Sequence, residues 1–360
     1  MKDLCFIVNV DWFFHSHRKP LERRLASTFK TSVIAGDSGL QTDYAINTFE
    51  VKSRVPTFRG IYQLYNKVKE LDRNVVLIVV SPVMIILCHF LLRKRRIIIY
   101  NFSGLGFLRS KSPVIRKLIM HSLKTYPVSG NRVLVVQNSD DYDYLNQVFG
   151  SKKDFQLELI AGSGYEDENH LFDKMDSTEV TIGYVGRIRK DKGVLDLLRA
   201  VSELQKSNFK INLAMWGEID DESRHGFNKA ELDELKGYQR FLKGFTRNKN
   251  QIYDSFNWFC LPSNGEGLSK AAIEASSFGL PLLLSNVQGN RDMVNGNGFL
   301  FEYGDVDNLK KVLTDILNLS NEEVAIMSRT SRQMFEANWT MDSVYNKWNK
   351  ILTKYDTISA

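Results

Sequence analysis

The architecture of this chain follows from one stretch, Phe256-Asn-Trp-Phe-Cys-Leu-Pro-Ser-Asn-Gly-Glu-Gly-Leu-Ser-Lys-Ala-Ala-Ile-Glu-Ala-Ser-Ser-Phe-Gly279. Its first six residues form an apolar run typical of a buried strand, and Pro262 and the glycines then break the run into a loop. Ser269 can cap the helix that follows, and Gly279 ends it. A strand, a glycine-containing turn and a helix N-terminus are where an open parallel sheet binds ligands.

Two carboxylates lie on this stretch. Glu266 is in the turn, and Glu274 is on a helix face that is otherwise small or apolar, where an unpaired charge is costly to bury. Carboxylates accept hydrogen bonds from vicinal hydroxyls, so one can bind a ribose and the other a sugar ring. The alternative is a loop charge and a solvated helix residue, because a short motif alone has a high false-positive rate.

A second loop has matching chemistry. Val180 to Val185 is strand-like, Gly186-Arg-Ile-Arg-Lys-Asp-Lys-Gly193 is a loop, and an amphipathic helix follows. Arg187 can bind a diphosphate in a bidentate manner, and Lys192 can add a point charge beside the helix N-terminus. Taken alone, the loop has the composition of an ordinary basic surface loop.

Together the two loops resemble retaining, family 4 glycosyltransferases of the GT-B fold, which carry a Gly-Arg...Lys-Gly motif before a Glu-x7-Glu signature. The resemblance implies a metal-independent transfer that retains anomeric configuration, with the leaving diphosphate helping to deprotonate the acceptor. It implies catalytic roles for Arg187, Lys192 and Glu266. It also implies a donor site formed by Gly186, Arg187, Lys192, Glu266, Gly267, Leu268, Ser269 and Glu274.

Length and composition limit the other possibilities. A chain of 360 residues with 43% hydrophobic and 25% charged residues is a globular protein long enough for two domains. Its three cysteines have no paired spacing, which favours a cytosolic setting over disulfides or a zinc site. No signal peptide is expected. The apolar stretch from Val75 to Leu92 is interrupted at Ser81-Pro82 and is interpreted as a strand and a helix rather than a membrane span.

The first half shows alternating strand and helix signals, which predict a parallel sheet covered on both faces. After the first strand, residues 11–21 are expected to form a loop that offers His15, His17 and Arg18 to a phosphate or a sugar hydroxyl. These side chains could equally cap a helix or face solvent. The aromatic run before His-Arg-x-Pro, and Ser103-Gly104 after a later strand, resemble a subgroup that extends sugars on undecaprenyl diphosphate. Other family members have a His near Ser103.

Basic residues are concentrated in the first third of the chain, and the net charge is +6. The clusters are Arg23-Arg24, Arg93 to Arg96, and an amphipathic segment from Lys111 to Lys124 with Ile115, Leu118 and Ile119 on its apolar face. They predict contact with an anionic membrane surface, the alternative being a solvated helix. Nucleic acid is not indicated, because no nucleic-acid-binding motif accompanies the charge.

The strand and helix pattern predicts an α/β protein, and the resemblance implies the GT-B fold, with two Rossmann-like domains facing a central cleft. The domains are expected at 1–163 for the acceptor and 178–340 for the nucleotide sugar, joined by a linker within 160–179, with a final helix over 344–360 packing on the first. The expected activity is transfer of a hexose or N-acetylhexosamine from a UDP sugar to a polyprenyl-diphosphate-linked glycan in O-antigen or capsule assembly, at the inner face of the cytoplasmic membrane, without cofactor or metal. The alternatives are a GT-B epimerase and a non-catalytic sugar-nucleotide-binding partner.

Overall fold

A computed structural model of the protein describes residues 3–39, 46–52, 55–95, 97–109, 112–128, 131–166, 179–220 and 226–354. The chain divides into two compact units. The first consists of Met1–Gly164 with Met341–Ala360, and the second of Tyr165–Thr340. Each unit has its own parallel sheet, so each is described separately.

The first unit contains an eight-stranded sheet in the order β4-β3-β2-β1-β5-β6-β7-β8. All pairs of neighbouring strands are parallel except β3 with β4. Its strands are β1 (Asp3–Val8), β2 (Lys30–Asp37), β3 (Asn47–Lys52), β4 (Val55–Pro56), β5 (Val76–Val80), β6 (Ile97–Asn101), β7 (Asn131–Val136) and β8 (Phe155–Leu159). Its helices are α1 (Asp11–His17), α2 (Lys19–Leu25), α3 (Phe58–Glu70), α4 (Pro82–Leu91), α5 (Gly106–Arg109), α6 (Pro113–Thr125) and α7 (Ser139–Phe149).

Both faces of the central strands are buried, as the β-branched runs require. Every residue of β5 and of β6 is buried, which is typical of a parallel sheet covered by helices on both sides. One face packs against α3, α4, α6 and α7 through residues such as Leu64, Met84 and Met120. The other packs against α1 and α2 through Phe14 and Leu21.

The second unit has a six-stranded, all-parallel sheet in the order β11-β10-β9-β12-β13-β14. Its strands are β9 (Val180–Val185), β10 (Ile211–Trp216), β11 (Leu242–Gly244), β12 (Trp258–Leu261), β13 (Leu282–Ser285) and β14 (Gly298–Phe301). Its helices are α8 (Val194–Lys206), α9 (Lys229–Lys236), α10 (Lys249–Tyr253), α11 (Lys270–Ser277), α12 (Val306–Leu317) and α13 (Asn321–Asn338). Strands β9 and β12 are neighbours, so the loops that follow them leave the same edge of the sheet.

The last helix, α14 (Met341–Lys354), returns to the first unit. Val344, Trp348 and Leu352 are buried in the same core cluster as Phe14 and Leu21, on the face covered by α1 and α2. Burial of this apolar stripe explains the spacing of the aromatic and aliphatic residues near the end of the sequence.

One expectation is wrong in detail. Residues 11–21 form α1 and the start of α2 instead of a loop, because Asp11 begins the first helix and Pro20 lies in the first turn of the second, where its missing N–H costs nothing. In α6, Met120 and Leu123 face the core, and of the predicted apolar residues Ile119 packs against that core while Ile115 and Leu118 are exposed. Arg96, Lys111 and residues 167–178 of the predicted linker lie outside the described residues.

Within the described residues, no helix is both long and apolar enough to cross a membrane.

Candidate active site

The loop after β9 begins the site in the second unit. Gly186 donates its N–H to the carbonyl of Trp216 (2.9 Å), and the Tyr184 hydroxyl donates to the carbonyl of Arg187 (2.7 Å). Arg187 projects outward and its Nη1 lies 3.0 Å from Asp220 Oδ2. The backbone of this loop is therefore fixed, while the Arg187 guanidinium remains half exposed.

A tight turn then presents Lys192 at the start of α8. Gly193 adopts φ +64°, and a Cβ at this position would lie 2.0 Å from the carbonyl oxygen of Pro262, so only glycine fits. The close approach brings the loop after β9 against the loop after β12. A hydrogen bond from the Asn264 N–H to the Asp191 carbonyl (2.9 Å) holds the two loops together.

The close contact between these two loops also joins their motifs through side chains. Lys192 Nζ lies 2.6 Å from Glu266 Oε1, and both side chains are largely buried. The Glu266 N–H donates to the carbonyl of Gln288 (3.2 Å), and a Cβ on Gly289 would lie 2.6 Å from the Glu266 carbonyl. This ion pair therefore sits on a turn whose backbone is held from both sides.

Ser269 caps α11 as the sequence predicts. Its hydroxyl accepts from the Ala272 N–H (3.2 Å), and half-buried Gly267 and Leu268 precede it. The N-termini of α8 and α11 both follow strands that end at this edge. The partial positive charge of a helix N-terminus favours anions such as phosphate.

Glu274 is buried, with 2% of its surface exposed, and it has three neighbours that sequence reasoning missed. Lys249 Nζ lies 2.5 Å and the Tyr253 hydroxyl 2.7 Å from its Oε2, and Lys270 Nζ lies 3.9 Å from Oε1. Burial and the Glu274 carboxylate raise the pKa of Tyr253 well above its usual value, so the phenol remains a donor. A buried carboxylate requires such partners. No motif in the sequence, however, identifies which lysine or tyrosine side chains pair with Glu274.

The predicted acceptor residues of the first unit lie at two places on the carboxyl edge of its sheet. His15, His17 and Arg18 follow β1, and Ser103 and Gly104 follow β6, two strands away. His17 Nδ1 lies 2.5 Å from Ser16 Oγ, and its ring stacks on Phe13. Burial, and next the charge of Lys19, lower the pKa of His15.

Arg18 is the most deeply buried of these residues, with 1% of its surface exposed. Its Nη1 donates to Ser163 Oγ (3.2 Å), whereas Nε and Nη2 have no hydrogen-bond partner in the described part of the chain. Burial lowers the pKa of this guanidinium to about 10. A buried cation with donors to spare is suited to an anion.

Two further polar residues at this edge were not predicted. Ser81 follows β5 with φ +83°, and Asn101 is the last residue of β6. Ser81 Oγ and both amide atoms of Asn101 are buried without a hydrogen-bond partner among the described residues. The only signal in the sequence is their position directly after, or at the end of, apolar runs.

Comparison with known proteins finds similarity mainly in the second unit. Residues 166–334 match the family model of glycosyl transferases group 1. The chain is 28% identical over 226 residues to a capsular polysaccharide biosynthesis glycosyltransferase, CapM, from Staphylococcus aureus, covering 58% of this chain and 54% of that protein. It is 23% identical over 251 residues to an Escherichia coli UDP-Gal:alpha-D-GlcNAc-diphosphoundecaprenol alpha-1,3-galactosyltransferase, covering 65% of this chain and 63% of the relative. These matches span only about half to two thirds of the relatives' length.

Solved structures agree on the fold over the whole chain. A sucrose-phosphate synthase from Thermosynechococcus elongatus superimposes with a TM-score of 0.76 at 15% identity, covering 99% of this chain and 100% of the other. Anabaena HepE, solved in complex with UDP, gives a TM-score of 0.72 at 13% identity and covers 98% and 100%. The GT-B fold class predicted from the sequence is thereby confirmed.

Proposed function

We propose that this protein is a retaining glycosyltransferase that moves a hexose or N-acetylhexosamine from a nucleotide sugar to a lipid-linked oligosaccharide. One observation carries the proposal. The 2.6 Å contact between Lys192 and Glu266 joins two motifs that are 74 residues apart, at the edge of the sheet where ligands bind. The family match over residues 166–334 supports the same activity.

The diphosphate of the donor is assigned to Lys192, Arg187 and the N-terminus of α8. All three supply positive charge without a metal ion. Since Lys192 pairs with Glu266, donor binding would exchange part of this ion pair for contacts with phosphate oxygens. Charge that develops on the leaving diphosphate then meets an ammonium group that is already in place.

The two glutamates are assigned to the two ends of the donor. Glu274 would accept hydrogen bonds from the ribose hydroxyls, because a carboxylate has more acceptor positions than Lys249 and Tyr253 occupy. Glu266 would contact the transferred sugar ring. During transfer the bond between C1 and the diphosphate oxygen breaks, the acceptor oxygen bonds to C1 on the same face, and the acceptor proton passes to the departing diphosphate.

We extend this proposal to the donor nucleotide, to the acceptor and to the place in the cell where the protein acts. HepE was solved with UDP, and the Escherichia coli relative is named for UDP-galactose and a diphosphoundecaprenol acceptor. The acceptor is assigned to His15, His17, Arg18, Ser103 and Gly104, where buried Arg18 offers donors to its anionic group. A polyprenyl-linked acceptor stays at the membrane, so we place the protein on the inner face of the cytoplasmic membrane, in O-antigen or capsule assembly.

The test is a donor panel. Purified protein would be incubated with UDP-, GDP- and ADP-linked sugars, with and without bacterial membrane extract, while nucleotide release and the anomeric configuration of the product are followed. We expect release of UDP, stimulation by the extract and no effect of EDTA. An epimerised nucleotide sugar without transfer would indicate the epimerase, and tight UDP binding without turnover would indicate a non-catalytic binding protein.

A further inference from the structure

A basic cavity lies at the end of the first sheet opposite to the proposed acceptor residues. It has a volume of about 460 Å³ and is bounded by the C-terminal ends of α3 and α4. Its polar lining consists of Tyr65, Lys69, Arg73, Arg93, Lys94 and Arg95. Strand β5 separates Arg73 from Ser81, and five strand residues at about 3.3 Å each place the cavity roughly 16 Å from the acceptor edge.

Part of this charge has a structural role. Arg95 is buried and donates to the carbonyl oxygens of Val68 and Leu71, so it caps the C-terminal end of α3. Lys69, Arg73 and Lys94 are exposed, and among the described residues that line the cavity none is acidic. The nearest carboxylates along the chain, Glu70 and Asp72, are exposed and do not line it. The cavity therefore holds more positive charge than the helix ends require.

An aromatic stripe leads along α3 to the cavity. Phe58, Tyr62 and Tyr65 are spaced by four and three residues, so they share one face of the helix. Phe58 is 95% exposed and Tyr62 is 68% exposed. An adjacent face, with Leu64 and Val68, is buried in the core. Exposed aromatic residues beside cations are typical of surfaces that lie at a membrane interface.

Helix α6 adds exposed apolar residues on the same side of the sheet as the cavity and the aromatic stripe. It packs on the same side of the sheet as α3 and exposes Val114, Ile115 and Leu118. Tyr126, just after its end, lies under the Arg93 guanidinium, 5.9 Å from ring centroid to Cζ, so α6 ends beside the cavity. A soluble anion would need the cations only, whereas a bilayer surface matches both the cations and the exposed apolar residues.

We propose that the cavity binds the phosphate of an anionic phospholipid, with the aromatic residues of α3 and the apolar residues of α6 in the headgroup region. This inference builds on the membrane location in the proposed function and assigns it to one side of the first sheet. It also excludes Arg24 from the docking surface, because Arg24 is on the opposite face of the sheet, paired with Asp342.

The experiment is flotation with vesicles of phosphatidylglycerol and phosphatidylcholine, compared with vesicles of phosphatidylcholine alone. The cavity variant is Lys69→Glu/Arg73→Glu/Lys94→Glu. The matched control, Lys206→Glu/Lys210→Glu/Lys243→Glu, makes the same change in net charge at exposed positions of the second unit. A third variant, Phe58→Ser/Tyr62→Ser, tests the aromatic stripe.

We expect the wild type and the control to float with the anionic vesicles at low salt. The cavity variant should lose about 100-fold or more in partitioning, since each basic residue near the surface contributes about 1 kcal/mol. The aromatic variant should bind more weakly at both low and high salt, because apolar contacts are not screened. UDP release from the donor without membranes should be unchanged in all variants, which separates failure of this inference from failure of the proposed function.

Equal flotation of the cavity variant and the control would overturn the assignment. So would binding of inorganic phosphate or glycerol 3-phosphate in the cavity without any flotation of the wild type, since the site would then serve a soluble anion. Loss of flotation in both charge variants to the same extent would show that net charge, not this cavity, directs the protein to membranes.

Discussion

The carboxyl edges of the two sheets differ in how their buried polar groups are satisfied. In the second unit, Lys192 pairs with Glu266 at 2.6 Å and Lys249 with Glu274 at 2.5 Å. In the first unit, Arg18, Ser81 and Asn101 each have buried polar atoms that find no partner in the described residues, whereas in the second unit the unpaired atom at this edge is Asn290 Oδ1, on an amide that donates to Ser285. An unsatisfied buried group costs about 1–3 kcal/mol, which only a ligand or water relieves.

The two units therefore differ in how their polar side chains are held at the proposed binding sites. The second unit holds these charges in internal ion pairs, which contribute to the stability of its site. The first unit has buried polar atoms without protein partners among its described residues, and these atoms are left for a ligand or water. Substitutions in the second unit should therefore lower both activity and stability, whereas those in the first should lower activity while leaving stability unchanged or improved.

The largest effect is expected for Lys192→Ala. Removing one preorganised group that stabilises developing charge lowers turnover by roughly 100-fold. The melting temperature should also fall, because Glu266 loses its partner. The matched control is Lys190→Ala, whose exposed side chain pairs with Glu231 and should contribute little. Steady-state kinetics with the preferred donor measures the turnover of both variants. Unchanged turnover, or inhibition by EDTA that Mn²⁺ reverses, would contradict the assignment.

Next in size is the loss of donor binding in Glu274→Ala. Charge-assisted hydrogen bonds to the ribose are worth about 1.5–3 kcal/mol, and the substitution also leaves Lys249 and Tyr253 without their shared acceptor. Calorimetric titration with UDP should show weaker binding, and thermal unfolding a lower midpoint. In Glu266→Ala turnover should fall more than UDP affinity. Equal loss of UDP affinity in both variants would show that the two roles are wrongly assigned.

The two sites also differ in how far the sequence predicts them. The strand, turn and helix signals around Gly186, and those around Ser269, each come from neighbouring residues, so local chemistry predicts both loops. The GT-B class follows from the resemblance of these two loops to family 4. Lys249 and Tyr253 reach Glu274 only through packing of α10 against α11, which no local pattern encodes. The loop expected at residues 11–21 is wrong because tertiary packing of Phe14 and Leu21 favours helices there. Ser81 and Asn101 are recognisable only as buried atoms without partners.

A smaller effect is expected for Arg18→Met, which keeps much of the side-chain volume. Burial lowers the pKa of Arg18 from 12.5 to about 10, so the charged form is disfavoured in the folded protein. This penalty is present at every pH below 10, and it disappears in the Met variant. We expect the free energy of unfolding to stay equal or rise, while KM for the acceptor increases about 10-fold, equivalent to roughly 1.4 kcal/mol. A clear loss of stability would mean that Arg18 is a structural residue.

The smallest effect, and the sharpest test of the comparison, is expected for Ser81→Gly. Ser81 has φ +83° and ψ 143°, a region that is essentially restricted to glycine and costs a side chain about 1–3 kcal/mol. Glycine should therefore raise the free energy of unfolding by about 1 kcal/mol, after its larger entropy loss is included. Asn208→Gly is the matched control, because Asn208 has φ +63°, which asparagine tolerates.

Ser81→Ala keeps the strain and removes only the hydroxyl. If the strain serves to aim this hydroxyl at the acceptor, both Ser81 variants should raise KM for the acceptor by a similar factor, while only glycine adds stability in urea unfolding. A stabilised Ser81→Gly variant with unchanged acceptor kinetics would show that the strained turn serves the start of α4 and not the ligand.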